Sequence, residues 1–449
     1  MKRTRGGCRQ SGGSGGGMAK AGPKGMRFRR AWRWRTSKVV KLFAVAVLVF
    51  LTQLALALYF LSRPYGERAL IPVPKPSGEA TLQEGVTIFT VPNFIRLDDE
   101  TWLRQELAVR SWKSLDPPAK AIVLIDDGAT EGAVADLART CGVGYLRLPP
   151  DGYTPFGIPS MRSIFRLADT AGNTTRAAFV NTDIVLPRDF VGKAERAMGD
   201  GIGEPVTASG LRVDCTWARD GDSETKEDIA RSLAMVLEAG RRDSSPDYVQ
   251  LSIRDASCQP HKDSGKDYFI WPRGFWDPVY QQRALGLGSP WEFPDFGIGK
   301  THWDHYTLGV LGMTSNLVDL SPVVHAVHIK HVYDSDKMKT RCRKFTCAIN
   351  DMATPATKRN KRLFKKAKSE IGIRRYHLSD APNYRACPTP GGPVRSLAAS
   401  PNANWEFRPD GPSWPWYFRL VSGYAGLEAE GGTEWAASKY HELFCGKHR

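Results

Sequence analysis

The chain contains 449 residues, of which 41% are hydrophobic and 24% charged, with a formal net charge of +16. This length and composition exclude a wholly disordered, collagenous or coiled-coil protein. Residues 1–41 hold thirteen Lys and Arg without an acidic residue, and a second basic block, 354–375, has a net charge of +8. The rest of the chain is left at −5. Because a duplex-binding protein needs basic surface throughout its folded part, we expect no nucleic-acid partner.

Residues 42–61 read LFAVAVLVFLTQLALALYFL. At a rise of about 1.5 Å each, these twenty residues match the roughly 30 Å hydrocarbon core of a bilayer. Basic residues crowd the N-terminal flank, so the positive-inside rule places 1–41 in the cytosol and the rest across the membrane. We therefore predict a transmembrane signal-anchor and a type II membrane protein. A cleaved signal peptide is the alternative, but the basic n-region and the apolar run are both too long for one.

Seven of the eight cysteines follow this segment, and an oxidising compartment would allow disulfides among them. Candidates for pairing cluster near the C-terminus: Cys342, Cys347, Cys387 and Cys445. Cys141 and Cys215 are alternatively small buried hydrophobic residues. Asn173 begins the only glycosylation sequon, which predicts a glycoprotein if the topology is right.

Residues 62–85 are rich in Pro and Gly and predict a stem. Strand-like apolar runs then alternate with helical periodicity. The predicted strands cover 86–91, 121–125, 145–148 and 177–180, and the predicted helices begin at 98 or 99 and cover 131–140 and 161–168. Unbroken apolar runs indicate an α/β fold with a mostly parallel sheet flanked by helices. Residues 200–265, with one predicted helix near 226–239, read as a variable insertion.

Acidic residues follow two of the predicted strands. Asp126 and Asp127 end the run 121–125, and Asp183 follows 177–180. Ligands of open α/β sheets gather at the carboxyl ends of strands. A carboxylate that emerges from a buried strand needs a counter-charge, which a divalent cation bridging a diphosphate would supply. The alternative is that Asp183 caps a turn before Pro187.

The segment 291–306, WEFPDFGIGKTHWDHY, combines glycines with aromatic residues on which a sugar ring can stack. Asp304 lies at the start of a predicted helix inside this segment and is a candidate general base. Alternatively, it is an acidic residue favoured by the helix dipole.

Three histidines lie within seven residues. In an extended strand His325 and His331 share one face and His328 takes the other, so the three cannot all bind one ion. A neutral imidazole would complete a metal site begun by Asp183. The alternative is that these histidines are structural.

Taken in order, these segments resemble GT-A glycosyltransferases of the family-two-like kind. In that family an Asn-x-Asp-Ile element stands in for the Asp-x-Asp metal motif. The resemblance spans about 86–340 and implies a GT-A-like, Rossmann-like catalytic domain over 86–345, with 346–449 as a C-terminal luminal extension. It is carried by TIFTVPNF (87–94), Ser111-Trp112, AIVLIDDG (121–128), SIFRLA (163–168), AFVNTDIVL (178–186), DYFIWPRG (267–274), PDFGIGKTHWDHY (294–306) and VDLSPVVHAVHIKHVYD (318–334).

The resemblance also implies roles for individual residues. Asp183, with Asn181 nearby, would hold Mn²⁺ or Mg²⁺ and the diphosphate of a nucleotide-sugar donor, and His331, or His328 instead, would be the distal contact. The remaining roles are nucleoside binding for Asp126 and Asp127, general base for Asp304, and the acceptor side for Asp267, Asp295 and Trp303. Lys300, His305-Tyr306 and Ile329-Lys330 depart from the family pattern, which leaves the donor and metal dependence open.

We therefore expect a glycosyltransferase in the Golgi membrane that moves a sugar from a nucleotide sugar to a hydroxyl of a glycan or glycoprotein in the lumen. A hypothesis from another class is a catalytically silent, membrane-tethered glycan- or protein-binding module with the same fold. The basic block 354–375 is a solvated helix face, or alternatively a surface for an acidic glycan or lipid head groups.

Overall fold

The computed structural model describes a set of segments between residues 82 and 398, with Val73 and seven positions between 45 and 53. Most of the predicted span 42–61 and the predicted site residues Asp127 and His331 lie outside the described residues. No helix among the residues described is long and apolar enough to cross a membrane. The described segments are 82–92, 99–126, 132–199, 202–216, 226–243, 257–261, 266–329, 354–378, 381–389 and 392–398.

Helices and strands alternate through the first half of the described segments, as the apolar periodicity predicts. The helices are α1 (Asp99–Lys113), α2 (Ala133–Cys141), α3 (Met161–Ala171), α4 (Phe190–Gly199), α5 (Lys226–Asp243), α6 (Pro278–Leu285), α7 (Trp303–Thr314) and α8 (Pro355–Ile371). The strands are β1 (Gln83–Thr90), β2 (Ala121–Asp126), β3 (Gly144–Arg147), β4 (Thr174–Val180), β5 (Ile184–Val185), β6 (Val206–Thr216), β7 (Ser257–Pro260), β8 (Lys266–Pro272), β9 (Asn316–Asp319), β10 (Ala326–Ile329), β11 (Tyr384–Thr389) and β12 (Gly392–Ala398).

The strands form a mixed sheet in the order β12-β11-β9-β6-β8-β4-β1-β2-β3. Outside this order, β7 and β10 both pair with β6, and β5 pairs with β10. Parallel pairs predominate along this order, as expected, but β8 runs antiparallel to both of its neighbours, β4 and β6, and β12 runs antiparallel to β11. Since both neighbours oppose β8, they run in the same direction. The carboxyl ends of β1, β2, β4 and β6 and the start of β8 therefore meet at one edge of the sheet.

Both faces of the sheet are buried. Phe179 and its register partner Phe269 face one hydrophobic cluster, whereas the adjacent pair Val180 and Tyr268 faces the other. This alternation follows from the two-residue period of strands. Helices α3, α7 and α8 contribute to the first cluster, and α2 and α4 contribute to the second. The helices thus cover both faces, as expected for an α/β fold.

Two strand pairings join segments that the sequence analysis assigns to different regions. Strand β6, from the segment 200–265 that reads as a variable insertion, lies in the middle of the sheet between β8 and β9. Within the described part of 346–449, β11 pairs in parallel with β9, with Tyr384 opposite Val318. Sequence patterns missed both because the pairings join distant parts of the chain.

Cys215 on β6 is disulfide-bonded, which corrects its reading as a simple buried hydrophobic residue. Its register partner on β7 is Cys258. Cys141 is buried in the core, in agreement with the alternative reading of that residue. The sequon residue Asn173 is exposed, so a glycan at this position would meet no packed core.

Candidate functional site

The turn between β4 and β5 carries the acidic residue at the sheet edge. It consists of Asn181, Thr182 and Asp183 and is closed by a hydrogen bond from the Ile184 N–H to the Asn181 carbonyl at 3.1 Å. The Thr182 hydroxyl lies 2.7 Å from that of Thr90, at the end of β1. The turn is therefore fixed to the carboxyl ends of two neighbouring strands.

Helix α1 anchors the chain immediately after this turn. The indole N–H of Trp112 donates to the Ile184 carbonyl at 2.9 Å, and the Ser111 hydroxyl accepts the Leu186 N–H at 3.1 Å. Both side chains are buried. This attachment holds Asp183 at one position relative to α1.

The imidazole of His328, on β10, lies between two carboxylates. Its Nε2 is 3.4 Å from Oδ2 of Asp183, and its Nδ1 is 3.0 Å from Oδ1 of Asp214. In the sheet register His328 lies opposite Ile184 on β5 and opposite Asp214 on β6. The pairing of three strands therefore brings the three side chains together.

Charges determine the protonation of this group. Burial alone would raise the pKa of Asp183, but the hydrogen bond with His328 and the charges of His328 and two arginines outweigh burial and lower it well below its usual range. Burial would also raise the pKa of Asp214, but hydrogen bonds from two histidines and the charge of Arg212 outweigh burial and lower it. For His328, burial would lower the pKa, but its bonds to the two carboxylates raise it. The arrangement favours an imidazolium between two carboxylates.

Ion pairs extend this group across the sheet. Arg212 Nε donates to Asp214 at 2.9 Å, and Arg212 Nη1 contacts both oxygens of Asp267 at 3.0 and 3.1 Å. The Asn181 amide donates to Asp267 at 2.6 Å, and His261 Nδ1 lies 2.6 Å from Asp214. One network therefore joins β10, β6, β8 and the β4–β5 turn.

The donor set fits a divalent cation in part. Carboxylate oxygen and neutral imidazole nitrogen suit Mn²⁺, so a bound ion would displace the proton from His328 Nε2. Two adjacent ligands of an octahedral ion lie about 3 Å apart, close to the 3.4 Å between Asp183 Oδ2 and His328 Nε2. Metal-binding histidines usually donate their other N–H to a carboxylate, as His328 can to Asp214. Within the described segments, no group of three or more His, Cys, Asp or Glu side chains is placed to hold a metal. A bound ion would need ligands beyond these two side chains.

Asp126 ends β2 at the same edge of the sheet. Its carboxylate accepts the Tyr145 hydroxyl at 2.6 Å and lies 3.4 Å from Arg147 Nε. Its side chain is 5% exposed. The structure thus places Asp126 where the sequence predicts it, buried beside two side chains of β3.

Asp304 lies in the first turn of α7, as predicted, and is partly exposed. The preceding residue, Trp303, packs edge-on against Phe179 of β4 and Phe269 of β8, with ring centroids 5.6 and 5.8 Å apart. These phenylalanines lie two residues from Asn181 and Asp267, respectively. Trp303 is buried, and it fixes the N-terminus of α7 over the strands of the network.

A buried lysine lies beside the residue that follows Asp304. Lys266 begins β8, and its Nζ is 2.9 Å from His305 Nδ1 and 3.4 Å from the Tyr376 carbonyl. Because an ammonium group only donates, His305 Nδ1 accepts this hydrogen bond. Burial lowers the pKa of His305, against the charge of Asp304, and the charge of Lys266 lowers it further. A neutral imidazole is therefore favoured next to Asp304.

His302, at the N-cap of α7, has a left-handed backbone with φ of 80°. Its ring stacks on Phe364 of α8 with centroids 4.9 Å apart, and its Nε2 is buried without a hydrogen-bond partner in the described chain. Burial lowers the pKa of His302, the charge of Asp304 opposes this effect, and the charge of Lys361 adds to it. Strained residues of this kind cluster at functional sites.

Helix α8 holds the loop that leads to α7. Arg359 Nη2 pairs with Asp295 Oδ2 at 2.7 Å. The Asn360 side chain accepts the Gly297 N–H at 3.0 Å and donates to the carbonyls of Gly297 and Thr301 at 3.0 and 3.3 Å. Asp295 therefore forms an ion pair with α8, and part of the basic block 354–375 packs against the loop before α7 instead of forming only a solvated face.

The structure brings together Asn181, Asp183 and Asp267, and it places His328, the alternative distal contact, beside Asp183, whereas His331 lies outside the described residues. Sequence reasoning missed three members of the network: Arg212, Asp214 and His261. Arg212 and Asp214 share one face of a strand because they are spaced by two, but their sequence does not reveal their distant partners. Sequence reasoning also missed Lys266, which lies outside the network.

No protein-family model matches the chain, and no curated protein matches it. Three solved structures illustrate its likeness to known proteins. Glucosyl-3-phosphoglycerate synthase from Mycobacterium tuberculosis, in complex with Mn²⁺, uridine-diphosphate-glucose and phosphoglyceric acid, has 12% identity, covers 65% of this chain and 81% of its own, and gives a TM-score of 0.28. Mannosyl-3-phosphoglycerate synthase from Rubrobacter xylanophilus has 12% identity, coverages of 70% and 86%, and a TM-score of 0.29. A mycobacterial protein has 13% identity, coverages of 70% and 83%, and a TM-score of 0.30. Likenesses this low establish neither a common activity nor a common substrate.

Proposed function

We propose that the chain is a nucleotide-sugar-dependent glycosyltransferase with a GT-A-like fold. The observation that carries the proposal is the Asp183–His328–Asp214 group at the carboxyl edge of the sheet, where α/β proteins bind nucleotides. Asp304, on a helix packed over the same strands, supplies the second carboxylate that the reaction needs. The order of sequence motifs over 87–334 supports the same assignment.

In the proposed reaction the acceptor oxygen bonds to the anomeric carbon while the bond from that carbon to the diphosphate breaks. Asp304 takes the proton of the acceptor hydroxyl as a general base, which implies inversion at the anomeric carbon. Asp183 and His328 would hold Mn²⁺ or Mg²⁺, whose charge neutralises the leaving nucleoside diphosphate. Arg212 and Asp267 keep Asn181 and the turn in place, and Asp126 faces the nucleoside.

The proposal extends to the location of the enzyme. The apolar run 42–61 with its basic flank supports a single-pass anchor in the Golgi membrane, with the sheet in the lumen. The disulfide at Cys215 is consistent with an oxidising compartment. Protection of an epitope at residue 449, but not of one at residue 1, from protease in intact Golgi vesicles would support this topology. The reverse pattern would refute it.

The test is a donor panel with the full chain, measured as release of nucleoside diphosphate with Mn²⁺, with Mg²⁺ and with a chelator. We expect Asp183→Asn to lose metal-dependent nucleotide binding and turnover, and Asp304→Asn to lose turnover alone. Asp136→Asn, on the exposed side of α2, is the matched control and should match the unmodified chain. If no donor turns over and no nucleotide binds in a metal-dependent way, the chain is a silent binding module instead.

A further inference from the structure

The exposed side of α8 carries a stripe of positive charge. Five basic residues spaced as i, i+3, i+4, i+7 and i+8 are exposed, and this spacing places them along one face of a helix. The helix contains a single acidic residue, Glu370, whose carboxylate lies 3.7 Å from Lys366. The members of this basic face are Lys358, Lys361, Arg362, Lys365 and Lys366.

The opposite side of α8 fixes the basic face relative to the candidate site. Asn360, Phe364 and Ala367 are buried, and Asn360 holds the loop before α7 through the backbones of Gly297 and Thr301. A helix attached in this way presents its charges at a defined distance from that loop. The basic face is therefore part of the architecture around Asp304 rather than a detached tail.

The positive charge also continues toward Asp304. Lys361 is close enough to His302 to lower the pKa of that imidazole, and His302 lies two residues before Asp304. Lys361 therefore connects the basic face to the N-terminus of α7, where Asp304 lies.

The apolar residues of α8 indicate which kind of anionic partner its basic face fits. Helices that bind lipid surfaces present large apolar side chains beside their cations. In the described part of the chain, the exposed large apolar side chains lie elsewhere than on α8, whose Phe364 and Ile371 are buried. Charge alone is therefore available for recognition, which fits a hydrated carbohydrate chain better than a membrane.

We infer that the basic face of α8 binds an acidic carbohydrate chain, one that carries carboxylate, sulfate or phosphate groups, and directs its hydroxyl toward Asp304. This inference rests on the proposed function and names the class of acceptor. The binding itself needs no donor, so it can be measured separately from turnover.

The experiment uses the full chain and a short oligogalacturonate, with the fully methyl-esterified oligomer of the same length as the neutral control. The test variant is Lys361→Glu/Lys365→Glu, which keeps good helix formers while it offsets the remaining charge of the basic face. The matched control is Lys113→Glu/Arg196→Glu, which makes the same charge change at exposed residues of α1 and α4. Thermal unfolding of each variant checks that the fold is retained.

Calorimetry should show that the oligogalacturonate binds, that affinity falls as salt rises, and that the test variant loses about tenfold or more. The esterified oligomer should not bind, and the control variant should bind normally. Equal binding by both variants would overturn the inference, as would preferential binding to phosphatidylserine vesicles or single-stranded DNA through the same residues. Turnover with neutral acceptors alone would refute this acceptor class and leave the proposed function standing. Oligogalacturonate binding without turnover of any donor would refute the proposed function and leave the carbohydrate-binding face standing.

Discussion

Asp214 does not itself bind the proposed metal ion, but its contact with His328 predicts a strong effect on Mn²⁺ affinity. Asp214→Asn keeps the size of the side chain and removes the negative charge that lies 3.0 Å from His328 Nδ1. A hydrogen bond to a charged group contributes about 1.5–3 kcal/mol, and about 1.4 kcal/mol corresponds to a tenfold change in affinity. We therefore expect Mn²⁺ affinity to fall about 10- to 100-fold.

The assay is a titration of Mn²⁺ into the full chain with nucleoside diphosphate present, in which electron paramagnetic resonance reports free Mn²⁺. Asp319→Asn is the matched control, because Asp319 is also a buried carboxylate that pairs with an arginine, Arg385, at 3.1 Å. This control should lose stability but keep its Mn²⁺ affinity. An unchanged affinity in Asp214→Asn, or an equal loss in both variants, would show that Asp214 does not orient a metal ligand.

Three further outcomes follow from named contacts. Asp304→Asn should reduce the turnover number by about 10²- to 10⁴-fold at unchanged nucleotide affinity, and a smaller loss would argue against a general base. Burial raises the pKa of Asp169 to about 7, against hydrogen bonds from Trp271 and Trp276, so the folded state retains a proton that the unfolded state releases near pH 4. From pH 4 to pH 8 the free energy of unfolding of the unmodified chain should therefore fall by up to about 4 kcal/mol more than that of Asp169→Asn. An equal change in the two proteins, measured by urea unfolding at each pH, would contradict this. Asn360→Ala should lower the free energy of unfolding by about 1–3 kcal/mol, whereas Ser369→Ala on the exposed side should leave it unchanged.

Local patterns predicted the first half of the fold because those elements depend on local periodicity. The apolar face of Met161, Ile164, Phe165 and Ala168 recurs at helical spacing, and each of these side chains is buried. The strand 177–180 likewise reads as an unbroken apolar run and is buried in β4. In such cases each residue type matches its surroundings without reference to distant parts of the chain.

The central strand β6 could not be predicted in the same way. Arg212 and Asp214 interrupt its apolar pattern, and their charges are stabilised by residues more than forty positions away, including Asp267 and His328. Only the folded sheet shows these partners. The position of His328 near Asp183 could not be predicted for the same reason, because it depends on the register between β10, β5 and β6.

The attachment of β11 to β9 has a practical consequence for anyone who shortens this protein. A fragment that stops at residue 345 would leave the backbone hydrogen-bonding groups of β9 open to other chains, and exposed strand edges favour aggregation. The same cut would remove the side chain of Asn360 that braces the loop before α7. The smallest fragment worth expressing therefore extends through residue 398.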